Sequence, residues 1–146
     1  MESSILKDLG LTICFGLSSL GAVLGVTVNA PAVIGAWKKA SLNNRPAPFI
    51  MVIFAATCMT NIIYGYIAMD AMASSVVMSD RYIFFISLIA GICIGANSYI
   101  QAMICANAAE AFGETGRNFG NYMMVVGVAE TFALFIMVFV ILIAGG

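Results

Sequence analysis

Four long apolar stretches, separated by short polar segments, constrain this chain more than any other feature. They cover approximately residues 9–37, 49–69, 82–109 and 119–144. A helix needs about 20 largely apolar residues to cross a hydrocarbon layer of roughly 30 Å. Because the chain has 146 residues, of which 62% are hydrophobic and 9% charged, four spans leave no room for a soluble enzyme domain. The sequence therefore predicts an all-α integral membrane protein with four transmembrane helices.

The charged residues indicate how the spans are oriented. The segments 38–46 and 110–118 together carry four Lys or Arg residues, whereas the N-terminal tail and the segment 70–81 together carry two. Since positive charge is enriched in cytoplasmic loops, we expect the first two segments to be cytoplasmic turns and both termini to be non-cytoplasmic. Six Lys and Arg against seven Asp and Glu give no basic face, so nucleic acid is not an expected partner.

The chain also repeats itself at an offset of 70 residues. Gly21 and Gly25 then coincide with Gly91 and Gly95, and the small-residue stripe continues at Ala32 and Ala36 and at their counterparts Ala102 and Ala106. This repeat predicts two helical hairpins, 1–73 and 74–146. Small residues let membrane helices approach closely. The stripes therefore favour either a helix pair within one monomer or a tight inner ring formed by many copies.

Glu130 is the only ionisable acidic or basic side chain deep inside any of the four stretches. It follows Arg117 by 13 residues, which is roughly 20 Å along a helix and near the middle of a bilayer. A charged side chain there costs at least about 3 kcal/mol, so such residues are rare and usually functional. The four cysteines, Cys14, Cys58, Cys93 and Cys105, show no metal-ligand spacing and are interpreted as packing residues.

Several polar side chains are expected at the depth of Glu130. Gln101 and Glu130 are equidistant from the turn between the third and fourth stretches, and the second stretch presents four polar residues at helical spacing. These four are Thr57, Thr60, Asn61 and Tyr64. Hydroxyl and amide oxygens with one carboxylate suit a small monovalent cation, although hydrogen bonds between helices without an ion are the alternative. In the first hairpin Pro31 stands opposite Gln101, so only the second hairpin keeps an acidic site.

These residues together resemble the proteolipid of rotary V-type and A-type ATPases, the membrane component known by the letters K or c. The resemblance is carried by the two glycine stripes, the segment Thr60-Asn61-Ile-Ile-Tyr64-Gly65, the pair Gln101-Ala102 and the segment Gly127-Val-Ala-Glu130-Thr131-Phe-Ala-Leu. It implies a homo-oligomeric rotor ring that turns in lipid, with Gly21, Gly25, Gly91 and Gly95 on its inner circle.

The resemblance also implies roles for the polar residues. Glu130 would carry Na+ or H+, and Gln101, Thr60, Asn61 and Tyr64 would coordinate or cover the ion with a main-chain carbonyl near Thr57. Asn61 stands where sodium-carrying relatives have the longer Gln. A stator subunit would supply an Arg, and a central-stalk subunit would contact the cytoplasmic loops.

Two other functions remain compatible with a lone membrane carboxylate. One is a small four-helix cation-coupled exchanger, and the other is a tetraspan scaffold that transports nothing. The duplicated glycine stripes speak against the exchanger, and a carboxylate facing Gln101 and Thr60 has no evident purpose in a scaffold. The sequence contains no P-loop and no nucleophile constellation, so we expect a non-enzymatic subunit that needs no cofactor besides the transported ion.

Overall fold

The computed structural model describes residues 2–145, and its regular elements are all helical. In chain order they are α1 (Glu2–Leu42), α2 (Val52–Ala56), α3 (Thr60–Ser74), α4 (Asp80–Thr115) and α5 (Phe119–Gly145), with 3-10 turns at Phe49–Met51 and Thr57–Met59. They form four helical segments long and apolar enough to cross a membrane, namely Ile5–Leu42, Phe49–Ser74, Asp80–Thr115 and Phe119–Gly145. The predicted four-helix membrane architecture is confirmed.

Two of the predicted polar turns are shorter in the structure. The first helix continues through Lys38 and Lys39 to Leu42, and α4 continues past Glu110 to Thr115. Charged residues are good helix formers and reach water from a helix end, so they do not stop the helix by themselves. The chain leaves the helical conformation where Asn44 (φ 54°) and Gly116 (φ 66°) take the left-handed backbone conformation.

The longest helices, α1 and α4, pack side by side and run in the same direction. A Cβ atom at Gly10 would lie 2.7 Å from Phe84 Cα, one at Gly21 would overlap the backbone of Gly95, and one at Gly113 would lie 2.6 Å from Ala36 Cβ. The contact points advance together along both helices, which shows that they are parallel. The glycine stripes therefore join the first helix of each hairpin inside one chain.

The polar turns lie together at one end of the helix bundle. Lys39 forms an ion pair with Glu114, and Arg45 Nη1 donates to the Glu114 carbonyl at 3.0 Å. At the opposite end, Lys7 Nζ donates to the Ala73 carbonyl at 3.0 Å. The two segments predicted to face the cytoplasm thus lie at the same end, as expected for segments separated by two membrane spans.

Large apolar side chains cover most of the outer surface, especially on α5. Only four residues of α5 are buried, namely Val126, Ala133, Val140 and Ala144. Its other apolar side chains include Val128 and Leu142, which are 73% and 64% exposed. A surface of this kind is stable only against lipid or against other apolar protein surfaces. The carboxylate-bearing helix is therefore at the periphery of the subunit.

Candidate ion-binding site

The second span is not one regular helix, and its interruption lies at the candidate site. The 3-10 turn Thr57–Met59 separates α2 from α3. Two threonine hydroxyls bond back to the chain at this point: Thr57 Oγ1 donates to the Ile53 carbonyl at 2.6 Å, and Thr60 Oγ1 lies 2.8 Å from the Thr57 carbonyl. Such bonds compete with the regular helical ladder and bend helices. A tighter turn within a long helix often marks a functional position.

Glu130 of α5 faces this interruption. Its Oε1 atom lies 2.8 Å from Thr60 Oγ1 and 3.0 Å from Tyr64 Oη, and both hydroxyls are oriented to donate. The side chain of Glu130 is half-buried. Within residues 2–145 no Lys or Arg side chain pairs with it. The chain thus gives this carboxylate two neutral donors and no opposite charge of its own.

The Thr60 hydroxyl can serve only one of its two acceptors at a time, because it has a single hydrogen. When Glu130 is an anion, that hydrogen is best used toward the carboxylate, since charge-assisted hydrogen bonds are the stronger ones. When Glu130 is neutral, the hydrogen can turn to the Thr57 carbonyl. The Thr60 oxygen is then free to accept a hydrogen bond from the protonated carboxyl group of Glu130 or to approach a cation. Thr60 can therefore respond to the charge state of Glu130.

Two buried amides lie beside the carboxylate at the same depth. Asn61 Nδ2 donates to Gln101 Oε1 at 2.9 Å, and both side chains are fully buried. Two atoms of this pair, Asn61 Oδ1 and Gln101 Nε2, have no hydrogen-bond partner within residues 2–145. A buried polar atom without a partner costs about 1–3 kcal/mol. The amide pair is therefore poised to take up a ligand or water.

Most of the residues predicted for the site gather here, but their contacts differ. Thr60 and Tyr64 contact Glu130 directly, whereas Gln101 and Asn61 contact each other. Thr60 contacts Glu130, and the adjacent Asn61 contacts Gln101, so Glu130 and Gln101 lie at a similar depth in the helix bundle. Their equal distance from the turn between α4 and α5 predicted this. The Thr57 carbonyl lies 2.8 Å from Thr60 Oγ1, and the Thr57 hydroxyl donates to the Ile53 carbonyl. A part of the Thr57 carbonyl in binding the ion stays a prediction.

The glycines predicted to pack a ring, namely Gly21, Gly25, Gly91 and Gly95, pack α1 against α4 and the second span within the chain. These contacts correspond to the helix-pair alternative. An inner circle made of many copies stays a prediction.

Two buried polar residues near the site were not predicted from the sequence. Asn29 of α1 and Ser98 of α4 are fully buried, and both donate to carbonyls of the second span around the 3-10 turn. The isolated Asn29 in the apolar helix α1 was the one feature of the sequence that could have indicated a buried polar contact. Its partners are backbone atoms, which leave no trace in the side-chain pattern.

A comparison with protein families identifies the second hairpin. Residues 84–143 match the family described as the C subunit of ATP synthase, over most of α4 and nearly all of α5. The second hairpin is therefore similar to the proteolipid C subunit of ATP synthases. Members of that family are membrane rotor components without catalytic activity, and this similarity agrees with the expectation of a non-enzymatic subunit. No curated protein matches the chain.

The family match bears on the functions that the sequence left open. A rotor proteolipid is favoured over a small exchanger and over a scaffold without transport, because the matched segment includes Glu130 and Gln101. The first hairpin lies outside the matched residues, so the assignment of 1–73 to a hairpin without an acidic ion site stays a prediction.

Proposed function

We propose that this chain is the rotor-ring subunit of a V-type or A-type rotary ATPase and carries Na+ across the membrane on Glu130. The observation that supports this most is a single membrane carboxylate on the outermost helix, held by Thr60 and Tyr64 and adjoined by the Gln101–Asn61 pair. ATP hydrolysis or synthesis takes place on partner subunits, and rotation couples it to ion movement.

Neutralisation of Glu130 is what permits rotation. A bare carboxylate turned toward lipid is strongly disfavoured by desolvation, whereas one that holds a cation or a proton is not. Since the described chain pairs no cation with Glu130, the neutralising charge comes from the cargo. At the stator, a fixed Arg on a neighbouring subunit displaces the ion and attracts the emptied carboxylate.

The ligand chemistry favours sodium over a proton. A proton needs one acceptor, whereas this site adds the Thr60 oxygen, the Gln101 oxygen and the unpartnered Asn61 Oδ1 to the carboxylate. Neutral oxygens of this kind can replace part of the hydration shell of a hard cation. Asn61 Nδ2 donates to Gln101 Oε1, so the Asn61 amide also orients the Gln101 side chain. Proton transport on the same carboxylate is the alternative outcome.

The partners follow from the same proposal. Copies of the chain form the ring, and lipid covers the apolar surface of α5. The end that carries Lys39, Arg45 and Glu114 faces the cytoplasm and contacts a central-stalk subunit. Both termini are then non-cytoplasmic.

The substitution Glu130→Gln tests the proposed function. It keeps the shape of the side chain but removes the negative charge that attracts the ion, so we expect ion transport coupled to ATP hydrolysis to fall to background while the ring still assembles. The measurement is ATP-driven ion uptake by the reconstituted complex, with native mass analysis of the ring.

Glu110→Gln is the matched control, because Glu110 is exposed on α4 near the loop end and should tolerate the same change. Coupled transport at a normal rate in Glu130→Gln would overturn the proposal.

A further inference from the structure

A buried amide of α1 contacts the second span immediately before the 3-10 turn. Asn29 Nδ2 lies 2.9 Å from the Phe54 carbonyl and 3.2 Å from the Ala55 carbonyl. It also lies 3.4 Å from Cys58 Sγ. The Asn29 side chain is fully buried. One amide of α1 therefore bonds to the backbone immediately before the turn.

A hydroxyl from the other side completes this arrangement. Ser98 Oγ of α4 donates to the Cys58 carbonyl, inside the turn itself, at 2.8 Å, and Ser98 is fully buried. The turn is therefore held from α1 and from α4 at the same time.

These bonds matter because of the geometry of a 3-10 turn. Its hydrogen bonds join residues three apart, so carbonyls at its start lose the partners that a regular α-helix would give them. Unsatisfied carbonyls inside a membrane would favour a return to the α-helical ladder. Asn29 donates to the Phe54 and Ala55 carbonyls, which directly precede the turn, and Ser98 donates to the Cys58 carbonyl inside it. These bonds from neighbouring helices stabilise the tighter turn.

The backbone of α1 comes close enough for this because of Gly25. A Cβ atom there would lie 3.2 Å from the Ser98 carbonyl oxygen and 3.3 Å from Cys58 Sγ. A larger residue would push α1 away from the turn and lengthen the Asn29 bonds.

The turn leads directly to the carboxylate. The Thr57 carbonyl accepts from Thr60 Oγ1 at 2.8 Å, and the same hydroxyl lies 2.8 Å from Glu130 Oε1. We propose that Asn29 and Ser98 are positioning residues for the ion site, which hold the turn in the form that aims Thr60 at Glu130. This inference rests on the proposed function, and it gives α1 a part in ion binding although no side chain of α1 is expected to touch the ion.

The substitution Ser98→Ala tests the proposal, because it removes one oxygen without filling space. Ser87→Ala is the matched control: Ser87 is also fully buried on α4, but its hydroxyl points to Met72 Sδ at 3.3 Å and not to the turn. The measurement is the sodium concentration that halves carbodiimide modification of Glu130 in the assembled ring at fixed pH.

We expect Ser98→Ala to raise this concentration about tenfold, as loss of a residue that orients ligands commonly does. Asn29→Leu should raise it similarly, and Ser87→Ala should leave it unchanged. If Asn29→Leu does not assemble, Ser98→Ala decides. Equal sodium concentrations for Ser98→Ala and Ser87→Ala would overturn the inference.

Failure of the proposed sodium transport would look different, because sodium would then not protect the unmodified chain. The same variants are in that case compared by the pH at which Glu130 modification is half-maximal in sodium-free buffer. A shift in Ser98→Ala but not in Ser87→Ala would support the positioning role, and equal values would overturn it.

Discussion

At the scale of single residues, the carboxylate site was largely predictable because its members are side chains with regular spacing. Thr60 and Tyr64 are four residues apart and so share a helix face, and both contact Glu130 Oε1. The bond between Asn61 and Gln101 was not predictable, since spacing gives depth but not which amide atoms meet. Asn29 and Ser98 were missed because they bind backbone carbonyls, which any sequence supplies.

The substitution Tyr64→Phe removes one of the two hydroxyls that hold Glu130. A hydrogen bond to a charged group contributes about 1.5–3 kcal/mol, so we expect the sodium concentration for half-maximal ATPase activity of the complex to rise about tenfold or more. Tyr66→Phe is the matched control, because Tyr66 lies on the same helix with 52% of its surface exposed. Indistinguishable sodium dependence of the two variants would show that the Tyr64 hydroxyl does not hold the site.

At the scale of helices, the small-residue stripe predicted close packing but not the partner. The spacing of Gly21, Gly25, Gly91 and Gly95 identifies a face on each of two helices, and either a neighbouring copy or the same chain could meet it. The structure pairs α1 with α4 in parallel within one chain. The 3-10 turn at Thr57–Met59 was also not predictable from the sequence, because these residues include no Gly or Pro that would mark an interruption of the helix.

Gly21→Ala tests the packing of the two helices. A Cβ atom at Gly21 would overlap the Gly95 backbone, so we expect destabilisation by about 1–3 kcal/mol, seen as a lower melting temperature of the purified protein in detergent. Gly16→Ala on the same helix meets nothing within 4 Å and should be neutral or slightly stabilising. Equal melting temperatures for the two variants would mean that α1 and α4 are not packed this closely.

At the scale of the whole molecule, the number of spans and the grouping of the turns were predictable from apolar length alone. Two spans lie between the segments around Lys39 and Glu114, so both segments are at the same end of the bundle, where these two side chains form an ion pair. The four-to-two excess of positive charge at this end then predicts that it faces the cytoplasm. Ring formation was not derivable from one chain, because it depends on surfaces that only a second copy completes.

The orientation can be tested with two single cysteines at opposite ends. Asn44→Cys lies in the exposed turn after α1, and Val76→Cys lies in the turn before α4 at a residue that is 97% exposed. A thiol reagent that does not cross membranes should react with Asn44→Cys only from the cytoplasmic side and with Val76→Cys only from the other side. The reverse pattern would invert the topology.

Carbodiimide modification of the assembled ring tests most directly whether Glu130 is the ion-carrying carboxylate. The reagent reacts with a protonated carboxyl group in apolar surroundings, which only Glu130 offers among the acidic residues of α4 and α5. Sodium bound at the site should slow the reaction at fixed pH, and potassium at the same concentration should not. We expect the modification to be found at Glu130 and to be suppressed by sodium. Modification confined to the exposed Glu110 and Glu114, with Glu130 unreacted, would contradict ion transport on Glu130.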